Sequence, residues 1–134
     1  MNTNTKDRLI FALDVAEVEQ AKALVNELSD AVTFYKIGME LMMTGEYFDL
    51  LDWLVKNEKK VFVDLKLFDV PITVSKAVKR LSRRGAYFTT IHGNQGMMEA
   101  AAAEKGDLRI LAVTALTSMD EGDIKDLGLS LIHI

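Results

Sequence analysis

Short apolar runs alternate with longer stretches of helical periodicity along the chain. Leu9 to Asp14, Val32 to Gly38, Lys60 to Lys66, Ala86 to His92 and Arg109 to Ala115 are each too short for a helix and rich in Val, Ile, Phe or Thr, which predicts five strands. Between them, Val18 to Leu28, Tyr47 to Lys56, Ile72 to Arg84 and Gln95 to Glu104 carry apolar residues at helical spacing, with Gly85 and Gly106 placed as helix stops. Strands recur about every 25 residues, which suits repeated βαβ units, so the pattern predicts an α/β protein with a parallel sheet. No linker or low-complexity segment divides it.

Two architectures fit that order: an open doubly wound sheet, or part of a (β/α)8 barrel. The polar strand ends favour the barrel. Asp14, Lys36, Asp64 with Lys66, and His92 fall at or near the C-terminal ends of their own strands, and Thr117 follows the fifth. Barrel enzymes assemble their sites from several strand ends in this way, whereas a doubly wound sheet concentrates them at one switch point, commonly with a Gly-rich first turn that is absent here. A full barrel needs roughly 200 residues or more. At 134 residues the chain supplies about five of the eight β/α units, so the expected fold is an incomplete TIM barrel.

Composition narrows the chemistry. With 49% hydrophobic residues the chain suits a single globular domain. The net charge of -4 and the lack of a long basic cluster argue against a nucleic-acid or membrane-surface partner, while leaving room for a small anionic ligand held by a few lysines. The absence of cysteine removes disulfides, thiolate nucleophiles and zinc-thiolate sites. The first eight residues hold no apolar leader and no stretch approaches a membrane span, which points to a cytoplasmic protein. Met39, Met42 and Met43, with Met97 and Met98, read as core filling, and Glu17, Glu19 and Glu27 as a solvated helix face.

The densest chemistry lies in the ten residues from Asp64 to Thr73, Asp-Leu-Lys-Leu-Phe-Asp-Val-Pro-Ile-Thr. Side chains alternate faces along a strand, so Asp64 and Lys66 point the same way and set a carboxylate beside an ammonium at a strand mouth. Pro71 suits the first turn of a following helix, which leaves Asp69 in the loop between strand and helix. By itself, Asp69 reads as a helix cap, as does Asp14, and Thr73 as a first-turn helix residue. Flanking carboxylates favour the ammonium form of Lys66, making it a better acid than a Schiff-base nucleophile. Asp64, Asp69 and His92 could ligate a divalent ion, yet an ammonium among them would repel it, so no metal is expected.

These residues resemble the orotidine 5'-phosphate decarboxylase family. The resemblance runs from Leu9 to about Gly128 and rests on D-x-K-x-x-D-x-x-x-T, present as Asp64, Lys66, Asp69 and Thr73 with Pro71 and Ile72 between. Around it, and in the family's order, stand Phe11-Ala-Leu-Asp14, the segment from Phe34 to Glu40, Ile91-His-Gly93 and the segment from Val113 to Ser118. The resemblance implies a barrel of the ribulose-phosphate-binding type and a cofactor-free conversion of orotidine 5'-phosphate to UMP and carbon dioxide in de novo pyrimidine synthesis. It implies four catalytic residues. Lys66 is the proton donor, Asp64 faces the substrate carboxylate, and Lys36 and Asp69 complete a Lys-Asp-Lys-Asp array. Asp69 is expected to reach the neighbouring subunit's site across a homodimer interface. Asp14 and Thr73 match ribose-contacting positions and Thr117 a substrate-contacting one, with Lys36 also on the substrate-binding side. His92 matches a histidine with no established catalytic role and is left out of the site.

The family's phosphate grip, a glutamine, a Gly-Arg pair and a further arginine after its last two strands, has no counterpart here. Residues 1–128 are therefore expected to be the N-terminal portion of a decarboxylase barrel. Residues 129–134, Leu-Ser-Leu-Ile-His-Ile, do not resemble the family and have the look of adapter- or vector-derived translation, so the chain is expected to be a truncated fragment, inactive in isolation. Two alternatives stand beside this reading: a related sugar-phosphate lyase or synthase of the same barrel group, and a non-catalytic fragment or pseudoenzyme. The segment around Lys36, together with Thr73, favours the decarboxylase over the lyase.

Overall fold

The structure, a computed structural model, describes residues 5–128. Its strands form one parallel sheet in chain order: β1 (Phe11–Ala12), β2 (Phe34–Ile37), β3 (Lys60–Leu67), β4 (Phe88–His92) and β5 (Arg109–Val113). The helices are α1 (Val18–Leu28), α2 (Met39–Met42), α3 (Tyr47–Lys56), α4 (Pro71–Arg83), α5 (Gln95–Glu104) and α6 (Glu121–Asp126). Strands that neighbour one another in strict sequence order are what successive β/α units of a barrel produce, whereas a doubly wound sheet reverses direction at a switch point. The architecture is that of an incomplete barrel, with β1 and β5 as its edges. The tail expectation for residues 129–134 lies outside the described residues.

The two faces of the sheet are built from alternating positions. On one face Tyr35, Ile37, Val61, Val63 and Ile91 are fully buried in a core shared with Leu50, Leu51 and Leu54 of α3 and Val74 and Val78 of α4. On the other, the barrel-interior face, Phe88 stacks on Phe34 with ring centroids 5.5 Å apart and meets Phe62 edge-on at 6.0 Å. Phe62 and Phe88 stand level with Lys36, and Phe34 one interior row below, so the rings floor the interior beneath the C-terminal end of β3. The N-terminal end of the sheet is tied separately. Lys60 Nζ lies 2.6 Å from an Asp7 carboxylate oxygen and 4.7 Å from the Tyr87 ring centroid, and the Arg109 guanidinium carbon sits 4.4 Å from the same ring.

Sequence periodicity places every strand and the four long helices, with three differences. β1 is shorter than the Leu9 to Asp14 run, because an edge strand has one partner and the ladder ends once Leu13 N–H has donated to the Lys36 carbonyl at 2.9 Å. Two short helices add to the pattern. α2 is a single turn with no room for a periodic signal, while α6 carries a reciprocal capping box between Asp120 and Asp123. The methionines differ as well: Met97 is buried and Met42 half-buried, but Met39, Met43 and Met98 are exposed. One turn of helix has only one inward face, and in α2 Leu41 takes it.

Both α3 and α4 end in a Schellman turn. After α4, the Gly85 N–H donates to the Ser82 carbonyl at 3.0 Å and the Ala86 N–H to the Leu81 carbonyl at 3.2 Å, with Gly85 at φ 83°. A Cβ on Gly85 would also lie 3.0 Å from Val55 Cγ1. After α3 the same pair of bonds forms around Glu58, a non-glycine residue at φ 58°. Gly85→Ala should therefore destabilise the chain by about 1–2 kcal/mol, and Glu58→Gly should stabilise it by a few tenths to about 1 kcal/mol. Urea denaturation of both variants reads the two signs, and a shared sign would contradict the turn geometry.

Candidate active site

The site is built at the C-terminal ends of the strands, where β3 departs from regular pairing. Val63 pairs with Thr89 and Leu67 with Ile91, so four steps along β3 run against two along β4. The excess is taken up by a bulge at Asp64-Leu65-Lys66, and Lys66 sits there at φ 46°, a left-handed conformation that costs a lysine free energy. The bulge keeps both side chains on the interior side. Lys66 Nζ lies 3.0 Å from each carboxylate oxygen of Asp64, a bidentate contact in which Asp64 is the more enclosed partner, 14% exposed against 40% for Lys66. Simple alternation therefore anticipates the partnership of Asp64 and Lys66 but not the backbone that makes it.

The ladder gap is filled by a side chain. The Lys66 N–H donates to Thr90 Oγ1 at 2.9 Å, and that hydroxyl donates in turn to Asp64 Oδ1 at 2.8 Å. Thr90 is 5% exposed. Sequence reasoning passed over it, although it shares the strand face of His92, two residues on, and its parity was readable.

Lys36 and Asp14 form the second pair, at 3.4 Å. Because Lys36 pairs in register with Phe62, it stands one interior row below Asp64, about 7 Å along the strand direction. Among the described residues no ion pair joins one dyad to the other. The remaining predicted residues are more dispersed. Asp69 is exposed and accepts a hydrogen bond from the Val70 N–H at 2.7 Å, so it does not cap α4, whose N-cap is Val70 itself. Thr73 is exposed in the first turn of α4, and Pro71 opens that helix as expected. Thr117 is exposed and shares with Lys66 a cleft of about 460 Å³ at the end of β5. His92 lies outside that cleft and packs edge-on against Phe68 at 5.0 Å. Among the described residues, no three His, Cys, Asp or Glu side chains converge to hold a metal ion.

Tyr47 supports the mouth from behind. Its hydroxyl donates to the Ile37 carbonyl at 2.9 Å, next to Lys36. Burial, with a smaller contribution from the Asp64 charge, pushes its phenol well above the ordinary tyrosine range. Burial alone raises Tyr35 as well.

The sequence pattern of the orotidine 5'-phosphate decarboxylase / HUMPS family matches residues 7–132. The chain belongs to that family. It is similar to the orotidine 5'-phosphate decarboxylase of Methylococcus capsulatus, 64% identical over 122 residues that make up 91% of this chain and 50% of that protein. The enzyme of Xanthomonas campestris pv. campestris is 54% identical over 125 residues, 92% of this chain and 51% of its own. Among solved structures, orotidine 5'-phosphate decarboxylase from Lactobacillus acidophilus superposes with a TM-score of 0.80 at 32% identity, covering 92% of this chain and 59% of that one. The Methanocaldococcus jannaschii decarboxylase, solved with the inhibitor BMP, gives 0.73 at 26% identity over 90% of this chain and 56% of its own. The chain thus spans about half the length of the curated relatives it matches. Within the family fold, β3 carries the ammonium–carboxylate pair and β2 with the β1 loop carries the second.

The tyrosines yield a pH prediction. Their folded pKa values lie above the unfolded value of 10.0, so the protonated phenols stabilise the fold in full below that pH and the contribution is lost as pH rises past it. The urea midpoint should hold up to about pH 10 and fall progressively above it. Tyr47→Phe should cost about 1 kcal/mol at neutral pH and make that fall shallower. An equally steep fall in the variant would place the titrating groups elsewhere.

Proposed function

We propose that the chain carries the reacting centre of an orotidine 5'-phosphate decarboxylase. The observation that carries the reading is the bidentate Lys66–Asp64 pair at the mouth of β3, with Lys36–Asp14 one row below it. The curated relatives named as orotidine 5'-phosphate decarboxylases, at 64% and 54% identity, support it. The substrate carboxylate lies against Asp64, where two like charges raise the ground state. The bond between the pyrimidine ring carbon and the carboxylate breaks, carbon dioxide leaves, and the electron pair stays on the ring carbon. Lys66 delivers a proton from Nζ to that carbon and is reprotonated from solvent. An ammonium already oriented by Asp64 stabilises the developing carbanion without solvent reorganisation. Lys36 and Asp14 bind the ribose side, with Thr73 and Thr117 at the rim of the site. No metal or organic cofactor takes part.

The protein acts as a cytoplasmic homodimer in which Asp69 enters the partner's site. Asp69 is exposed and is flanked by Phe68, Val70 and Ile72, which are 72%, 59% and 61% exposed, and a run of apolar side chains around a charged one suits an interface. No helix among the described residues is long and apolar enough to cross a membrane.

The test uses a chimera in which this chain replaces the matching half of the Methylococcus capsulatus relative. The chimera should release carbon dioxide from orotidine 5'-phosphate, and a metal chelator should leave the rate unchanged. Lys66→Ala should slow the chemical step by several orders of magnitude. Borohydride should trap no substrate on Lys66. A trapped adduct there would move the chain to Schiff-base chemistry, and turnover restored only by a divalent ion would overturn the cofactor-free reading.

A further inference from the structure

We propose that Thr90 is the positioning residue of the Asp64–Lys66 pair, an inference that rests on the decarboxylase reading for its catalytic consequence. Two facts about the bulge point to it. Lys66 is held at a φ of 46°, so its backbone needs an external restraint, and it lies in the register shift between Val63 and Leu67, outside the paired positions of β3 and β4. The Thr90 hydroxyl supplies its N–H with an acceptor at 2.9 Å.

The same hydroxyl has one proton to give, and it gives it to Asp64 Oδ1 at 2.8 Å. A single side-chain oxygen therefore fixes the backbone of the proton donor and the rotation of the carboxylate that orients it. Donation to Oδ1 suits an ionised carboxylate, which accepts on both oxygens: Oδ1 from Thr90 and Lys66, Oδ2 from Lys66. Thr90 acts through Asp64 and Lys66, and its place on a buried, paired strand makes it a rigid support.

The neighbouring Thr89 provides the contrast. It is also buried but faces the helices, where its hydroxyl donates to the Val63 carbonyl at 3.0 Å. Loss of that hydroxyl should lower stability and leave the chemistry alone.

The test compares Thr90→Val, which keeps the shape and removes both bonds, with Thr90→Ser, which keeps both bonds, and with Thr89→Val. In the chimera, Thr90→Val should lower kcat about 10- to 100-fold with KM within about twofold, Thr90→Ser should hold kcat within about threefold, and Thr89→Val should leave kcat unchanged. In the 134-residue chain, hydrogen exchange of the Lys66 amide should accelerate at least about tenfold in Thr90→Val and stay protected in Thr90→Ser. Should Thr90→Val fail to fold, Thr90→Ala is read in its place. Equal kcat in the Val and Ser variants, or equal protection of the Lys66 amide, would overturn the proposal. A chimera with Thr90 intact that releases no carbon dioxide would instead sink the decarboxylase reading, and the amide exchange would still decide whether Thr90 holds the bulge.

Discussion

Everything at the mouth of this sheet turns on the break in the β3–β4 ladder between Val63 and Leu67. A parallel ladder pairs its residues at even spacing, and a strand that kept that spacing would set Asp64 and Lys66 on one face, two residues apart, with ordinary extended backbones. The extra residues of β3 instead fold the lysine backbone back into the left-handed region and bring its ammonium onto both carboxylate oxygens. Such a conformation persists only where its surroundings over-determine it. Here the surroundings are the buried strand β4 on one side and the aromatic floor of Phe34, Phe62 and Phe88 below.

The fold was legible because a parallel sheet covered by helices writes a strong signal. Val61 and Val63, Tyr35 and Ile37 must be apolar to meet α3 and α4, and the helices must be apolar on the facing stripe, so strand and helix periods alternate clearly. The chemistry was legible for a related reason. Charged residues at the end of an apolar strand, as with Asp64 and Lys66, are costly unless they are used, and polar ends on several strands in turn indicate a shared mouth.

What stayed hidden has physical reasons too. The bulge leaves no mark in composition, since Leu65 and Lys66 look like any strand residues and only the partner strand's register shows the excess. Thr90 is β-branched and sits among other strand formers, so parity puts it on the face of His92, but nothing in its residue type marks its hydroxyl as different in use from that of Thr89 on the helix side. The exposure of Met39 and Met43 follows from α2 being a single turn, a length that hydrophobic periodicity does not register.

The strict order of the sheet has a consequence for how the molecule comes into being. Each strand from β2 onward docks beside the one made immediately before it, and each intervening helix covers the seam just formed. On a ribosome the N-terminal part of a chain emerges first, so this topology lets the sheet grow one unit at a time with no strand waiting for a distant partner. One edge stays at β1, and the other is always the one the next unit will cover. Nascent chains of this architecture thus carry one fixed edge at β1 and one moving front, and a pause in translation determines which strand is left uncovered at that front and for how long.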